Sequence, residues 1–504
     1  MAPNTRLAIT VCLILSTLMQ ALDTTIANVA LPYMQGSVSA SQDEIAWVLT
    51  SYLVTSAIMT PPTGFLATRF GIKRVLLVCI AGFTLASMCC GAAHSLKQIV
   101  LFRCLQGALG APLNPLTQTV LFNINPPERQ GRAMATFSIA IMLAPVLGPV
   151  LGGWLTSDYS WRAVFYINMP IGILAFIGAF IFLPETKVTA GFKLDWLGFA
   201  TLSIAVGSVQ MLLDRGSEQD WFSSREIITE AVLAGVAFYL FLTHIFTTRS
   251  PFIRPALFSD RNLTAGTIFI ISVGVTSYSA LSLQPPFLQN LMNEPIVTAG
   301  LVMGPRGLGI LVSMMFVGRL IGKVDTRLLL FTGLVITAWS FNAMSRWSLD
   351  VSNTTIMLTG AVQGLGQGLL SVPLATMALS TIAPEHRAEA SGVYNLARTI
   401  GSSLGVSVVN SLFTHNVQVN HANISSYVTA FNRQLSTPNV AAYWSPLTPG
   451  GRAVLDSVIN QQAQVIAYND DYKMLMFATL VTLPLLLMLR KPKPRPAEKK
   501  IPAH

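Results

Sequence analysis

The chain has 504 residues, of which 52% are hydrophobic and only 11% are charged, and its mean hydropathy is +0.57. An ordinary soluble domain is about a quarter charged, so this composition excludes a soluble globular protein and indicates a membrane protein. The net charge of +10 does not indicate a nucleic-acid partner, because the basic residues segregate to one side of the predicted membrane.

Apolar runs of about 20 residues are long enough to cross a bilayer, and fourteen such runs are predicted. The first six are residues 7–31, 45–66, 75–94, 98–121, 133–155 and 163–183. The other eight are residues 196–213, 227–247, 263–284, 296–318, 328–345, 355–380, 388–412 and 473–489. The first run is too long for a secretory signal, and no small-residue cleavage site follows it. The expected fold class is an all-α membrane protein.

The basic residues predict the orientation of these spans. An even number of spans puts both termini on one side, which we predict to be the cytoplasm. With that choice, 21 of the 32 basic residues lie in cytoplasmic loops and ends, and eight lie on the opposite side. This asymmetry follows the positive-inside rule, so the basicity reflects topology.

The loops also indicate an internal repeat. GFLATRFGIKR (64–74) follows the second span, and GRLIGKVDTR (318–327) follows the tenth, each with glycine and clustered positive charge. A weaker similarity links RCLQGALGA (103–111) to VQGLGQG (362–368). Repeated halves are typical of secondary transporters, which bind substrate at the interface between the repeats.

The repeat predicts the domain organisation. We expect an N-terminal six-helix half (1–185), two inserted transmembrane helices (186–255), a C-terminal six-helix half (256–490) and a basic cytoplasmic tail (491–504). The C-terminal half includes an outward loop at 414–471, whose second part has apolar residues at helical spacing. We expect an amphipathic helix there that extends the last span outward and either caps the bundle or docks a partner.

The first span contains a carboxylate, Asp23, where hydrocarbon is expected. A charge inside the membrane costs several kcal/mol unless it is paired, hydrated or neutralised, so it marks a functional site. Helix rise puts Asp23 about 12 Å and Arg103 about 7.5 Å below the same outer surface. We predict that Asp23 carries a proton and that Arg103, which does not release its own, tunes it. A static buried ion pair that fixes helix register is the alternative.

Further polar residues predict a substrate cavity. Gln20 and Gln106 each lie three residues from one member of the charged pair, and therefore on the same helix faces. Asn114 either extends this cavity or forms an interhelical hydrogen bond. Arg306 and Arg398 lie near the midplane of their spans by helix rise. They either attract an anionic substrate or pair with backbone carbonyls at nearby glycine-rich breaks.

The fifth span contains the sequence APVLGPVLGG, with small residues at every fourth position. Small residues at that spacing let two helices approach closely, and proline bends a helix. We predict a role in gating and helix packing, although tight packing alone would explain the glycines. The predicted residues are Ala144, Pro145, Gly148, Pro149, Gly152 and Gly153.

The first cytoplasmic loop motif contains two glycines and three cations. The cations lie near helix C-termini, where positive charge is favourable. The motif either only orients the helices or serves as a conformational latch between neighbouring helices. Its residues are Gly64, Arg69, Gly71, Lys73 and Arg74.

These motifs together resemble a known family. LDTTIANVALP (22–32), GFLATRFGIKR, LFRCLQGALGA and APVLGPVLGG are similar to motifs of fourteen-span drug:proton antiporters of the major facilitator superfamily. WRAVFYINMPIG (161–172) and LDRGSEQDWFSS (213–224) strengthen the resemblance to EmrB-type exporters of Gram-negative inner membranes.

The resemblance implies the major facilitator fold and export of hydrophobic compounds driven by inward proton flow, with Asp23 and Arg103 in proton coupling. It also implies assembly with a periplasmic adaptor protein and an outer-membrane channel. One position departs from the family pattern, because the loop motif usually has an acidic residue where Thr68 stands. In the second half Asp325 is acidic, but at a shifted position.

Two rival functions can be formulated. One is export of a single anionic metabolite, such as a fatty acid or siderophore, with Arg306 and Arg398 recognising the anion. The other is a membrane-embedded enzyme, which the sequence disfavours because no nucleophile lies beside a base and the six histidines are scattered. No cofactor or metal site is predicted.

Overall fold

We describe the protein from a computed structural model that covers residues 3–186, 194–216, 219–248, 251–321, 323–429, 444–445 and 447–490. This part of the chain is helical and contains no β-strand. The first nine α-helices are α1 (Pro3–Val38), α2 (Gln42–Met59), α3 (Thr63–Phe70), α4 (Ile72–Ala92), α5 (Leu96–Gly110), α6 (Leu113–Ile124), α7 (Pro127–Asp158), α8 (Ala163–Tyr166) and α9 (Asn168–Phe182).

The remaining helices follow in chain order. They are α10 (Trp196–Arg215), α11 (Arg225–Thr247), α12 (Arg261–Pro286), α13 (Ile296–Leu320), α14 (Thr326–Met344), α15 (Asn353–Ser380), α16 (Arg387–Ser426) and α17 (Pro449–Val481). The predicted basic tail at 491–504 lies outside the described residues.

The helices coincide with the predicted apolar segments, but three segments are each divided between two α-helices. One break, at Ile167, separates α8 from α9. Pro61 and Pro62 separate α2 from α3, and Pro112 separates α5 from α6, because proline has no backbone N–H for a helix interior. Nine helices of the described chain are long and apolar enough to cross a membrane. The protein is therefore a multi-pass membrane protein, and the exact count of fourteen spans stays a prediction.

Two helical bundles form the body of the molecule. In the N-terminal bundle (α1–α9), α1 packs on α7 and α9, and α2 packs on α5. In the C-terminal bundle (α12–α17), α12 packs on α16, and α15 packs on α13 and α14. Glycine allows close approach in several of these contacts; a Cβ at Gly364 of α15, for example, would lie 2.1 Å from the Arg306 carbonyl oxygen of α13.

Direct contacts between the bundles lie at the end that carries the Gly64–Arg74 loop. There α3 packs against the start of α16, and the start of α7 packs against the end of α13. Gln118 of α6 accepts hydrogen bonds from Ser391 (2.7 Å) and Asn395 (3.0 Å) of α16. We call this region the closed end.

Helix α10 lies against both bundles. Gln210 donates a hydrogen bond to Ser403 of α16 (2.8 Å), and Thr50 of α2 donates one to Asp214. Helix α11 packs on α10 and exposes large apolar side chains such as Phe238 and Tyr239. Helix α10 therefore bridges the two bundles on one flank, and α11 covers α10 from outside.

Helices α16 and α17 extend beyond the predicted spans as a packed antiparallel pair. Helix α17 is continuous from Pro449 to Val481, so the segment predicted to be amphipathic and the start of the last span are one helix. His421 of α16 contacts Asp456 of α17 at 2.9 Å. Residues 430–443 of the outward loop are outside the described part of the chain.

Candidate proton site and substrate cavity

The structure brings Asp23 and Arg103 into direct contact. Arg103 Nη1 of α5 lies 2.5 Å from Asp23 Oδ2 of α1, and both side chains are completely buried. Two charges removed from water are tolerated only when they are paired and their remaining polar atoms are hydrogen-bonded. The neighbours of this pair supply hydrogen bonds to Asp23 Oδ1 and to the guanidinium Nε and Nη1 atoms, whereas Arg103 Nη2 has no hydrogen-bond partner in the described structure.

Two amides hold the other oxygen of the Asp23 carboxylate. Gln106 Nε2 donates to Asp23 Oδ1 at 2.7 Å, and Asn168 Nδ2 donates to the same atom at 2.8 Å. Asn168 also contacts Ser87 Oγ of α4 (2.9 Å), and Ser87 donates to the Phe165 carbonyl oxygen (2.8 Å). The carboxylate thus connects α1, α5 and α9.

Arg103 has anchors that do not depend on Asp23. Its Nε donates to the Val48 carbonyl oxygen of α2 (3.0 Å), and its Nη1 donates to Gln106 Oε1 (2.8 Å). The guanidinium carbon lies 4.3 Å from the centre of the Tyr52 ring, within the range of a cation–π contact. Arg103 is therefore held by α2 as well as by Asp23.

A glycine lets α5 approach α2 at this point. A Cβ at Gly107 would lie 2.3 Å from Thr55 Oγ1 and 2.5 Å from the Tyr52 carbonyl oxygen, distances that only glycine permits. Because Gly107 follows Arg103 by one helical turn, the close approach brings the Val48 carbonyl oxygen within reach of the guanidinium.

Sequence reasoning missed Asn168 and Ser87 as members of this network. Asn168 lies in the quoted segment WRAVFYINMPIG, at the start of a strongly apolar helix, and an isolated amide in such a run was an available signal. Ser87 gave no signal, because serine is common in membrane helices, where it hydrogen-bonds locally.

The predicted cavity glutamines and asparagine lie in different places. Gln106 belongs to the Asp23 network. Gln20 lies on α1, one turn before Asp23. Asn114 accepts a hydrogen bond from Gln118 (3.3 Å), the residue that joins α6 to α16 at the closed end. None of the three predicted residues lines the two cavities described next.

Two cavities lie between the bundles and share four lining residues: Ile141, Ser277, Tyr278 and Gln367. The larger has a volume of about 1080 Å³, including the part open to solvent. Ala21, Thr24 and Thr25 of α1 line it opposite Arg306 of α13. The smaller, of about 590 Å³, lies beside Gln118 and is lined by Arg398 of α16.

The two cavity arginines differ in their partners. Arg306 is 6% exposed and donates to the Ser277 carbonyl oxygen (3.0 Å), to Gln367 Oε1 (3.3 Å) and to Gln284 Oε1 (3.5 Å). It thus has a backbone carbonyl partner, but from α12 and not from the glycine-rich break of its own helix. Within the described residues Arg398 has no carboxylate within ion-pairing distance.

The small residues of α7 face α1. Thr25 Oγ1 contacts the Ala144 carbonyl oxygen at 3.2 Å, and a Cβ at Gly148 would lie 2.1 Å from Thr25 Oγ1. Gly152 lies against Ile26, whereas a Cβ at Gly153 would meet nothing within 4 Å. The side chains of Pro145 and Pro149 lie outside the described residues. Helix α7 therefore packs on α1 directly beside the Asp23 segment.

The loop motif lies at the closed end. Gly64 packs on Glu389 of α16, where a Cβ would come within 2.7 Å of the Glu389 backbone. Gly71 has φ 84°, a conformation that glycine adopts readily, at the junction of α3 and α4. Lys73 lies 5.7 Å from the Phe180 ring centre, Arg69 lies in the last turn of α3, and Arg74 is exposed.

The two departures from the motif pattern have local roles. Thr68 Oγ1 donates to the Gly64 carbonyl oxygen at 2.9 Å, within α3. Asp325 caps α14 by accepting a hydrogen bond from the Arg327 backbone N–H at 3.1 Å. Both side chains therefore stabilise the ends or turns of single helices.

Comparison with known proteins adds a family and several relatives. The family model described as Major Facilitator Superfamily matches residues 13–406. The chain is 34% identical to multidrug export protein EmrB of Escherichia coli (strain K12), over 96% of this chain and 95% of that protein. It is 33% identical to fatty acid resistance protein FarB of Neisseria gonorrhoeae, over 96% of each chain.

A solved structure has a similar fold. The crystal structure of the human organic anion transporter MFSD10 (TETRAN) matches with a TM-score of 0.62 and 14% sequence identity. The match covers 96% of this chain and 100% of that chain. At this identity the likeness concerns the fold alone.

Proposed function

Because the chain belongs to the major facilitator superfamily, we propose that it is a proton-coupled antiporter that exports hydrophobic or amphipathic toxic compounds. The observation that carries the proposal is the completely buried carboxylate of Asp23, one turn or less from the cavity-lining residues Ala21, Thr24 and Thr25. A buried ionisable group beside a cavity in a membrane helix is suited to proton transfer. The predominantly apolar cavity lining suits hydrophobic substrates.

The geometry supplies a coupling mechanism. When Asp23 is ionised, Arg103, Gln106 and Asn168 hold α1 against α5 and α9. A proton that enters from the outer side neutralises the carboxylate and removes its attraction for Arg103, which Val48 still anchors. Helix α1 is then free to change its packing, and Thr24 and Thr25 move with it in the cavity wall. Release of the proton on the inner side restores the ion pair.

The activity proposed is transport, not catalysis. The substrates are protons and hydrophobic small molecules, which move across the lipid bilayer without covalent change. No chemical step is required of any side chain except reversible protonation of Asp23. We assign no cofactor and no metal to this process.

The location and partners follow from the similarity to EmrB. We propose that the protein resides in the bacterial inner membrane with both termini in the cytoplasm, as the distribution of basic residues supports. We also propose that it is the permease of a tripartite pump with a periplasmic adaptor protein and an outer-membrane channel. The outward extension of α16 and α17 supplies surface for such an assembly. The division into two six-helix halves and two inserted helices belongs to the same proposal.

A transport assay in proteoliposomes tests the proposal. Wild type, Asp23→Asn and the exposed-loop control Asp350→Asn would be compared for gradient-driven transport of neutral, cationic and anionic compounds. We expect wild type and Asp350→Asn to transport equally, and Asp23→Asn to lose gradient-driven transport while still binding substrate. Gradient-driven transport by Asp23→Asn at the wild-type rate would remove Asp23 from the coupling role.

The second candidate function is export of one anionic metabolite, such as a fatty acid or siderophore. It is favoured by Arg306 and Arg398, two cations that line the central cavities without a carboxylate partner among the described residues. Replacing each by glutamine should raise the KM for anionic compounds about tenfold or more, since a hydrogen bond to a charged group contributes about 1.5–3 kcal/mol. An unchanged KM for anions in both variants would contradict this function.

A further inference from the structure

A second carboxylate is buried among the helices outside the predicted spans, far from the Asp23 network in sequence. Asp471 of α17 is only 1% exposed. Its Oδ2 atom has no hydrogen-bond partner within the described structure. Nor does any described cation form an ion pair with it. An ionised carboxylate in such a setting is costly, and the group neutralises instead.

Aromatic side chains surround this part of α17. The Tyr468 ring lies 5.2 Å from the Phe287 ring and 4.4 Å from the Phe413 ring. The Tyr472 ring lies 5.5 Å from the Trp347 ring. Apart from the hydroxyl and indole groups, these neighbours offer no compensation for a negative charge. The environment therefore favours the neutral acid.

The titratable neighbours confirm that no cation compensates Asp471 directly. On α17 itself these are Tyr468, Tyr472 and Asp470, and Asp470 pairs with Lys473 at 3.5 Å. The helices that pack on α17 carry Tyr278 on α12, His415 on α16 and Arg346 after α14. Arg306 of α13 is close enough to act electrostatically on Tyr472, and it lines the larger cavity.

The effects of burial and of neighbouring charge place the pKa of Asp471 near neutral pH. Burial, followed by the neighbouring Asp470 charge, raises the pKa of Asp471 to about 7. The acid precedes the predicted last span by two residues, so it lies near the outer end of the bundle, where protons are available from water.

We infer that Asp471 is a second proton-binding site, in the C-terminal bundle and separate from Asp23. It takes up one proton from water to become a neutral carboxylic acid and returns it as a carboxylate. Only its use in transport rests on the proposed function, because reversible protonation can be measured without a substrate.

An infrared titration of the purified full-length protein tests the site. The C=O stretch of protonated carboxyl groups would be followed across neutral pH in wild type, Asp471→Asn and the adjacent, half-exposed control Asp470→Asn. In wild type we expect a band that disappears as the pH rises through about 7. In Asp470→Asn the same band should disappear at a somewhat lower pH, because the repelling Asp470 charge is gone, and in Asp471→Asn it should be missing. The same titrating band in Asp471→Asn as in wild type would overturn the inference.

The variant should fold, because asparagine resembles the neutral acid in size and polarity. Should Asp471→Asn fail to purify, Asp471→Glu keeps a titratable group in a shifted position. A shifted band then supports the assignment, and an unshifted band contradicts it.

Transport in proteoliposomes separates this inference from the proposed function. We expect the dependence of the transport rate on external pH to weaken around neutrality in Asp471→Asn, where only Asp23 still binds protons, and to persist in Asp470→Asn. Absence of any gradient-driven transport by wild type would contradict the proposed function and leave the infrared assignment intact. A wild-type pH profile in Asp471→Asn would contradict a transport role for Asp471.

Discussion

Asp23 accepts hydrogen bonds from three side chains on two other helices. These donors explain how the first helix retains a buried negative charge. Arg103 compensates the charge itself, whereas Gln106 and Asn168 complete the hydrogen bonding of the second oxygen. The arrangement is therefore specific for the ionised acid. Each donor that is removed leaves part of the buried charge without a hydrogen bond.

Asn168→Ala tests the role of the amide that donates to Asp23. We expect a loss of about 1–3 kcal/mol of stability, because the variant leaves buried polar groups unpaired. We also expect slower gradient-driven transport, because the Asp23 carboxylate loses one of the donors that hold α1 against α9. Thermal unfolding in detergent and transport in proteoliposomes measure the two effects. The exposed Asn423→Ala on α16 is the control, and wild-type stability and transport in Asn168→Ala would contradict the proposed role.

Close contacts between helices set the geometry of the Asp23 site. Helix α5 meets α2 at Gly107, and α7 meets α1 at Gly148, so both sides of the Asp23 network are fixed by contacts that exclude a Cβ atom. Interiors packed this tightly transmit displacement from one helix to the next. The site can therefore be disturbed without changing any charged residue.

Gly107→Ala should separate α5 from α2 and pull Arg103 from the Val48 carbonyl oxygen. We expect about 1–3 kcal/mol of destabilisation, the usual cost of overpacking, together with a large loss of transport. Gly235→Ala on α11 is the matched control, because a Cβ there meets nothing within 4 Å and alanine favours a helix. Thermal unfolding and transport of the two variants would be compared, and equal behaviour would contradict the role of the close contact.

The two bundles meet at the closed end, and the two cavities lie between the bundles, the smaller one next to that end. Gln118, Ser391 and Asn395 join the bundles there, together with Arg387, which donates to Asn123 at 2.7 Å. Alternating access between such bundles is largely a rocking motion around the binding site. These contacts must therefore separate in each transport cycle.

Cross-linking at the closed end tests this motion. Cysteines at positions 118 and 391, in a background without the five native cysteines, should react with a short bifunctional reagent, because the native side chains lie 2.7 Å apart. We expect the cross-linked protein to lose transport and to regain it when a cleavable linker is cut. Each single-cysteine variant treated with the reagent is the control. Full transport by the cross-linked protein would show that the closed end need not open.

The sequence was sufficient for some of these features and insufficient for others, for identifiable reasons. Apolar runs predicted where the helices lie, and counting residues from span ends put Asp23 and Arg103 at compatible depths. The partners Asn168 and Ser87 depend on helix rotation, which counting along one helix does not provide. Asp471 falls in the outward loop by sequence, and the amphipathic pattern predicts a helix that extends the last span, but only the structure shows that α17 buries this side chain.

The bridge formed by α10 has a consequence for the path of lipid-soluble cargo. A molecule dissolved in the bilayer that approaches between α2 and α16 encounters a helix joined to both, by Asp214 on one side and Gln210 on the other. This flank is therefore closed to lateral entry of such molecules from the bilayer. When the two bundles tilt relative to each other, α10 cannot move with both. Either its contact with α2 or its contact with α16 must therefore shift in every transport cycle.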